Sequence, residues 1–176
     1  MKNQKVCCFI SGAFMPFFEN KEEDYNKKEI TEKIKEEIKN LIEKENVNVF
    51  YTGMEEGADL FCAECVLSFK KNNDISLNCV IPFEEQAKDY CEETRDLYFS
   101  VAQRCDNEIM LNKKRNFSCR KERDIYMIEK SDIVFLFWDM KAPYTSSLLK
   151  VASKNKKIIV VDPSFSRHNS SFRRIE

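Results

Sequence analysis

Glycine is almost missing: three residues in 176, at positions 12, 53 and 57. A phosphate loop of the G-x-x-x-x-G-K-[ST] type is therefore excluded, because no stretch carries the residues it needs. Histidine is scarcer still. His168 is the single one, and it lies in a polar stretch near the end, which excludes a histidine-based triad and a His-rich metal site. With four prolines besides, the sequence has little material for long flexible linkers. No apolar run approaches the ~20 residues that span a bilayer, so no membrane partner is expected. Charge of one sign is also lacking. The 29 basic and 30 acidic side chains leave a net charge of −1, which removes any global attraction to nucleic acid or lipid and leaves only local patches.

Cysteine, by contrast, is plentiful, at eight. Most of these residues fall inside expected strands and helices (Cys7, Cys8, Cys62, Cys65, Cys79, Cys91, Cys105), where a free thiol acts as a small hydrophobe. A disulfide framework belongs to small, loop-rich secreted domains. Cys62-Ala-Glu-Cys65 is one CxxC inside a helix with no second pair, so it is not read as a zinc site. The N-terminal run from Val6 to Phe18 loosely mimics a signal peptide, but Ser11-Gly12 and Pro16 interrupt it and no A-x-A-like site follows. The expectation is a reducing, cytoplasmic protein.

The pattern that is present alternates strand and helix. Val6–Ile10 reads as a first strand ending at Ser11-Gly12. Ile30, Ile34, Ile38, Leu41 and Ile42 recur at helical spacing. Val47–Thr52 is a second strand, and Gly57 and Asp59 open a second helix. Ser76–Ile81 is a third strand, followed by a helix expected over Glu84–Arg104. Asn107–Leu111 is a weaker fourth strand. Cys119–Lys130 is a helix with Ile125, Tyr126 and Ile128 inward. Ile133–Trp138, six apolar residues between two aspartates, reads as a fifth strand buried on both faces. A helix over about Ser146–Ser153 and a strand over Lys157–Val161 complete the series. Alternation of this kind predicts an α/β fold, a Rossmann-like three-layer sandwich with a mainly parallel, doubly wound sheet. Residues 1–163 are expected to form a single domain and 164–176 a polar C-terminal tail.

In such sheets ligands bind beyond the carboxyl ends of the strands. The ends of strands one, two, four and five are expected to converge. They bring Ser11-Gly12, the turn from Gly53 through Glu55 and Glu56 to Gly57 and Asp59, the basic segment Lys113–Lys121 with Arg123, and the loop after Trp138. Glycines at 53 and 57 before a helix suit an anion at the helix N-terminus, or a plain tight turn. Arg120 or Arg123 suits a phosphate or carboxylate, and Phe117 among the charges suits a stacked base; a solvated basic loop is the alternative. Thr145, Ser146 or Ser147 suits helix capping or phosphate contact.

Taken in order, these segments resemble the SLOG superfamily, and within it the YpsA-like group of small bacterial proteins. Cys8-Phe-Ile-Ser-Gly12 resembles the family's first-strand F-T-G. Gly53 to Leu67 resembles its G-x-x-x-G-x-D-x-x-A-A-E, and Ile81-Pro-Phe-Glu84 its I-P-F. Arg123 to Asp132 is similar to its R-N-x-x-M-V-D-x-S-D, and Trp138-Asp139 matches in position. The resemblance spans about Val6 to Pro163. It implies a pocket for a nucleotide or nucleotide-derived ligand, formed by Ser11, Gly12, Gly53, Glu55, Gly57, Asp59, Arg120, Arg123, Trp138, Tyr144 and Thr145.

The chain also departs from that pattern. The family's G-G-T after strand five is here Pro143-Tyr144-Thr145, and proline lacks an N–H. The first loop keeps only Pro16 of H-R-P. The helix that carries a glutamate in the phosphoribohydrolases of the superfamily has no carboxylate here. The reading is a ligand sensor or interaction module with no assigned catalytic residue, no cofactor and no metal. Tyr144 is expected over or inside the pocket. The alternatives are an N-glycosidic hydrolase acting on a nucleoside monophosphate through Glu55, Glu56 or Asp59, and weak single-stranded nucleic-acid binding through 113–121 with the aromatics at 14, 17 and 18. Relatives of this kind often self-associate, so a homodimer is expected.

Overall fold

A computed structural model of the chain describes residues 4–11, 25–137, 143–152, 155–161 and 172–175. Their order is β1 (Val6–Ser11), α1 (Tyr25–Glu43), β2 (Val49–Thr52), α2 (Ala58–Lys70), β3 (Ser76–Ile81), α3 (Glu92–Arg104), β4 (Asn107–Met110), α4 (Cys119–Lys130), β5 (Ile133–Phe137), α5 (Pro143–Ala152), β6 (Lys157–Val161) and β7 (Phe172–Ile175). The strands form one seven-stranded sheet in the order β4-β3-β2-β1-β5-β6-β7. All neighbours are parallel except β7, which runs antiparallel along β6.

This topology follows from the residues. Parallel central strands are covered on both faces, so they can be apolar at every position. Alternate side chains of β1 separate cleanly. Cys7 and Phe9 join a core with Ile34, Ile38 and Leu41 of α1 and Val66 of α2. Cys8 and Ile10 join a second core with Met127 of α4 and Leu148 of α5. Within the first core Phe9 stacks on Phe50 and meets Phe135 edge-on, each pair 5.8 Å apart at the ring centres. The fold is thus a Rossmann-like α/β sandwich. The chain builds outward from β1 through β2 and β3 to β4, then crosses back past β1 to β5. Between β1 and β5 the winding reverses, which is where such sheets open a crevice.

Three expectations are corrected. The helix expected over Glu84–Arg104 begins at Glu92, and 84–89 form successive turns. That stretch is claimed by side-chain bonds to the turn after β2: Gln86 Nε2 donates to the Gly53 carbonyl at 2.9 Å and the Tyr90 hydroxyl to that of Met54 at 3.3 Å. Helix α5 starts at Pro143, three residues before the expected Ser146, since proline with its fixed φ suits the first helical turn. Thr145, Ser146 and Ser147 therefore sit within the helix and do not cap it. Finally, Phe172–Ile175 of the expected polar tail adds an edge strand. All eight cysteines are free; Cys7, Cys8, Cys62, Cys65 and Cys79 are buried as read from the sequence, Cys119 is buried as well, and two depart from that reading: Cys105 is half-buried and Cys91, ahead of α3, is exposed. Among the described residues, no helix is long and apolar enough to cross a membrane.

Candidate functional site

Helices α2 and α4 run back from the carboxyl edge of the sheet, so each brings its first turns over the strand ends. In α4 the inward stripe is Arg123, Asp124, Met127 and Ile128. It is polar where it overhangs the strand ends and apolar where it lies on the sheet. In α2, Asp59 takes the corresponding place in the first turn and is fully buried. Between these helices lies the turn after β2.

That turn is held tightly. Gly57, with φ 88° and ψ −116°, occupies backbone space that side chains avoid, and it swings the chain into α2. Met54 takes φ 58°, which a non-glycine residue rarely adopts. Its N–H donates to Thr52 Oγ1 at 3.3 Å, its carbonyl accepts from Tyr90, and its side chain is fully buried. The N–H of Glu55 donates to Asp59 Oδ2 at 3.4 Å. The amides of 54 and 55 are therefore engaged within the turn.

Arg123 is the centre of the cluster. It is only 3% exposed. Its Nη1 donates to the Gly53 carbonyl at 3.1 Å and to Glu55 Oε2 at 2.7 Å. Its Nε and Nη2 both reach Asp124 Oδ1 at 2.8 Å. The other Glu55 oxygen pairs with Arg120 Nη2 at 3.1 Å, and the other Asp124 oxygen accepts the Tyr144 hydroxyl at 2.6 Å. Gly53 is glycine for lack of room. A Cβ there would lie 2.7 Å from Arg123 Nε, 2.9 Å from its Cζ and 2.9 Å from Asp59 Oδ2.

Burial opposes the charge on Arg123, but Asp124, Glu55 and Asp59 outweigh it and hold its pKa above the usual value. Burial pushes Asp59 up to about 7 against the pull of Arg123, and the nearby Ser11 hydroxyl eases that cost without making a bond of ordinary geometry. Asp124 is raised for the same reason, burial first, with Arg123 and Tyr144 opposing. The Tyr144 phenol is raised by burial and then by Asp124.

A pH dependence follows. Unfolded, Asp59 ionises near 3.8, whereas folded it keeps its proton to about 7. The folded state binds more protons between these values, so this group makes stability fall as pH rises through the window. Asp124 acts with it. Glu45, lowered by Lys157 and Lys5, acts in the opposite sense below its unfolded value of 4.5. Urea midpoints measured from pH 4 to 8 should therefore fall less steeply in Asp59→Asn than in the parent between ~4 and ~7; parallel curves would refute the burial of this charge.

Of the expected site residues, Gly53, Glu55, Gly57, Asp59, Arg120, Arg123 and Tyr144 come together here. Ser11 lies beside Asp59, and Thr145 is fully buried next to Tyr144. Gly12 and Trp138 lie outside the described residues, as do the aromatics at 14, 17 and 18. Strand β4 does not join the others, being the far edge of the sheet. Its following segment returns through α4 instead. In that segment Arg115 lies over the Phe83 ring at 5.8 Å, and Phe117 is wholly exposed. Asp124, Gln86, Tyr90 and Thr52 were not singled out from sequence. The available signal was Asp124 standing directly beside Arg123; nothing local marks the other three.

Four buried oxygens near this cluster have no hydrogen-bond partner among the described residues: Ser11 Oγ, Asp59 Oδ1, Gln86 Oε1 and Thr145 Oγ1. Among the described residues, no cluster of metal-binding side chains occurs. The fold and this crowded polar edge define a Rossmann-like α/β protein with an ion-pair cluster at the carboxyl edge of its sheet. A family model for the YspA SLOG family matches residues 14–160. The chain belongs to that family. No curated protein shows a significant match.

Proposed function

We propose that the protein binds a nucleotide or nucleotide-derived ligand at the carboxyl edge of the sheet, around Gly53, Asp59, Arg123 and Tyr144, and acts as a sensor or interaction module without turning the ligand over. The observation that carries this is the set of unpartnered buried oxygens. A buried polar atom left without a partner costs ~1–3 kcal/mol, and four such atoms near one polar cluster call for a hydrogen-bonding occupant. The position agrees with the crevice that the reversal of winding opens between β1 and β5.

Of the three carboxyl groups in the cluster, Glu55 and Asp124 are engaged at both oxygens, which leaves Asp59 as the one group on which the hydrolase alternative would rest. Both Glu55 oxygens pair with arginines and both Asp124 oxygens accept hydrogen bonds. A glycosidic hydrolase needs a carboxyl group free to handle a proton or activate water. The test is isothermal titration of the full chain with nucleoside monophosphates, diphosphates and dinucleotides, with chromatography of the same mixtures. At least one compound should bind with a Kd below ~1 mM, equivalent to about −4 kcal/mol, and no free base should appear. Base release would establish the hydrolase reading instead. No binding across the panel would leave an interaction module.

A further inference from the structure

We infer that this cluster reads the hydroxyl groups of a nucleoside's sugar and does not read phosphate, an inference that rests on the proposed nucleotide-type ligand. What the cluster has to offer is chiefly acceptors. Asp59 Oδ1 and Gln86 Oε1 are buried oxygens without donors, and the hydroxyls of Ser11 and Thr145 can each accept as well as donate. Asp59, Gln86 and Thr145 are at most 3% exposed, so water reaches these side chains poorly.

Among the described residues, the buried donors of this cluster are already in use. Arg123 employs four of its five N–H groups on Gly53, Glu55 and Asp124. Arg120 is turned onto Glu55. The amides of Met54 and Glu55 donate within the turn. Pro143 has no N–H to give at the start of α5.

Charge points the same way. Glu55, Asp59 and Asp124 stand against the two guanidinium groups. An entering phosphate would bring acceptors to a place already rich in them, and charge beside Glu55 and Asp124, which already engage the two guanidinium groups. A neutral vicinal diol brings two donors and no charge. One hydroxyl on Asp59 Oδ1 and its neighbour on Ser11, Gln86 or Thr145 would satisfy atoms that are now orphaned. Asp59 Oδ1 is a fully buried carboxyl oxygen with no donor among the described residues, which makes Asp59 the principal contact.

The experiment compares, on the full chain, the four common ribonucleosides, their 5′-monophosphates and their 2′,3′-dideoxy counterparts by isothermal titration. For whichever base binds best, nucleoside and monophosphate should agree within ~3-fold. The dideoxy compound should bind at least ~10-fold more weakly, because a site built for hydroxyls rejects a ligand that lacks them. Asp59→Asn, checked for folding by its urea transition, should weaken the ribonucleoside and leave the dideoxy compound unchanged. A monophosphate ~10-fold or more tighter than its nucleoside would overturn the inference while leaving nucleotide binding intact. Equal affinity for ribose and dideoxyribose would also overturn it, and would show that the orphaned oxygens hold only water. If no compound of any series binds, the nucleotide reading fails and this inference with it.

Discussion

Arg123→Met should cost the fold about 3–5 kcal/mol, the usual loss when one partner of a buried charge cluster is removed. Methionine approximates the arginine stem in length, so the loss isolates the guanidinium. Without it, Asp124 loses both its bonds from Nε and Nη2, and Glu55 keeps only Arg120. The Gly53 carbonyl still accepts from Gln86, so the turn is weakened but not stripped. A natural domain has ~5–15 kcal/mol in total, and the variant is expected to be marginal at 37 °C. Urea denaturation with an unchanged m-value is the measurement. The deficit should widen as pH rises above about 7, because Asp59 must then ionise without the guanidinium that offsets its burial. A loss below ~1 kcal/mol, the range of an exposed ion pair, would mean that Arg123 is not enclosed as described.

Gly53→Ala should cost about 2–4 kcal/mol, from overpacking and from the charged hydrogen bonds it disturbs. The reason is contact distance alone. The new methyl group would press on Arg123 Nε and Cζ and on Asp59 Oδ2, all within 2.9 Å, and the guanidinium cannot retreat while four N–H bonds pin it. The double variant carrying both changes should therefore lose less than the sum of the two, by ~1 kcal/mol or more, since methionine at 123 can yield to the methyl group. Strict additivity in urea would refute the contact.

How far the sequence showed this can be judged from particular elements. β3, β6 and α4 fall on the residues expected, because strands buried on both faces write themselves as apolar runs and α4 has a clear start and stop. α3 was extended too far toward its N-terminus, since Ala87 and Tyr90 are buried like helix residues but by turns tied to Gly53 and Met54. β7 has no apolar signature because an edge strand requires little more than backbone pairing. Gly53, Glu55, Asp59, Arg120, Arg123 and Tyr144, all candidates from the sequence, come together, but bonded largely to one another. Arg123 reads as a contact for a phosphate or carboxylate, or as part of a solvated basic loop, and what buries it lies far off in sequence: Glu55 and Gly53 are 68 and 70 residues from Arg123. No local pattern reports that.

The bond from Tyr144 to Asp124 ties the first turn of α5 to the first turns of α4. Each group supplies what the other would lack: the phenol is the donor for the carboxylate oxygen that Arg123 leaves open, and that oxygen is the acceptor for a half-buried hydroxyl. The ion-pair cluster therefore does not end at α2 and α4 but extends to α5, so that three helices on the carboxyl edge of the sheet are joined through a single guanidinium.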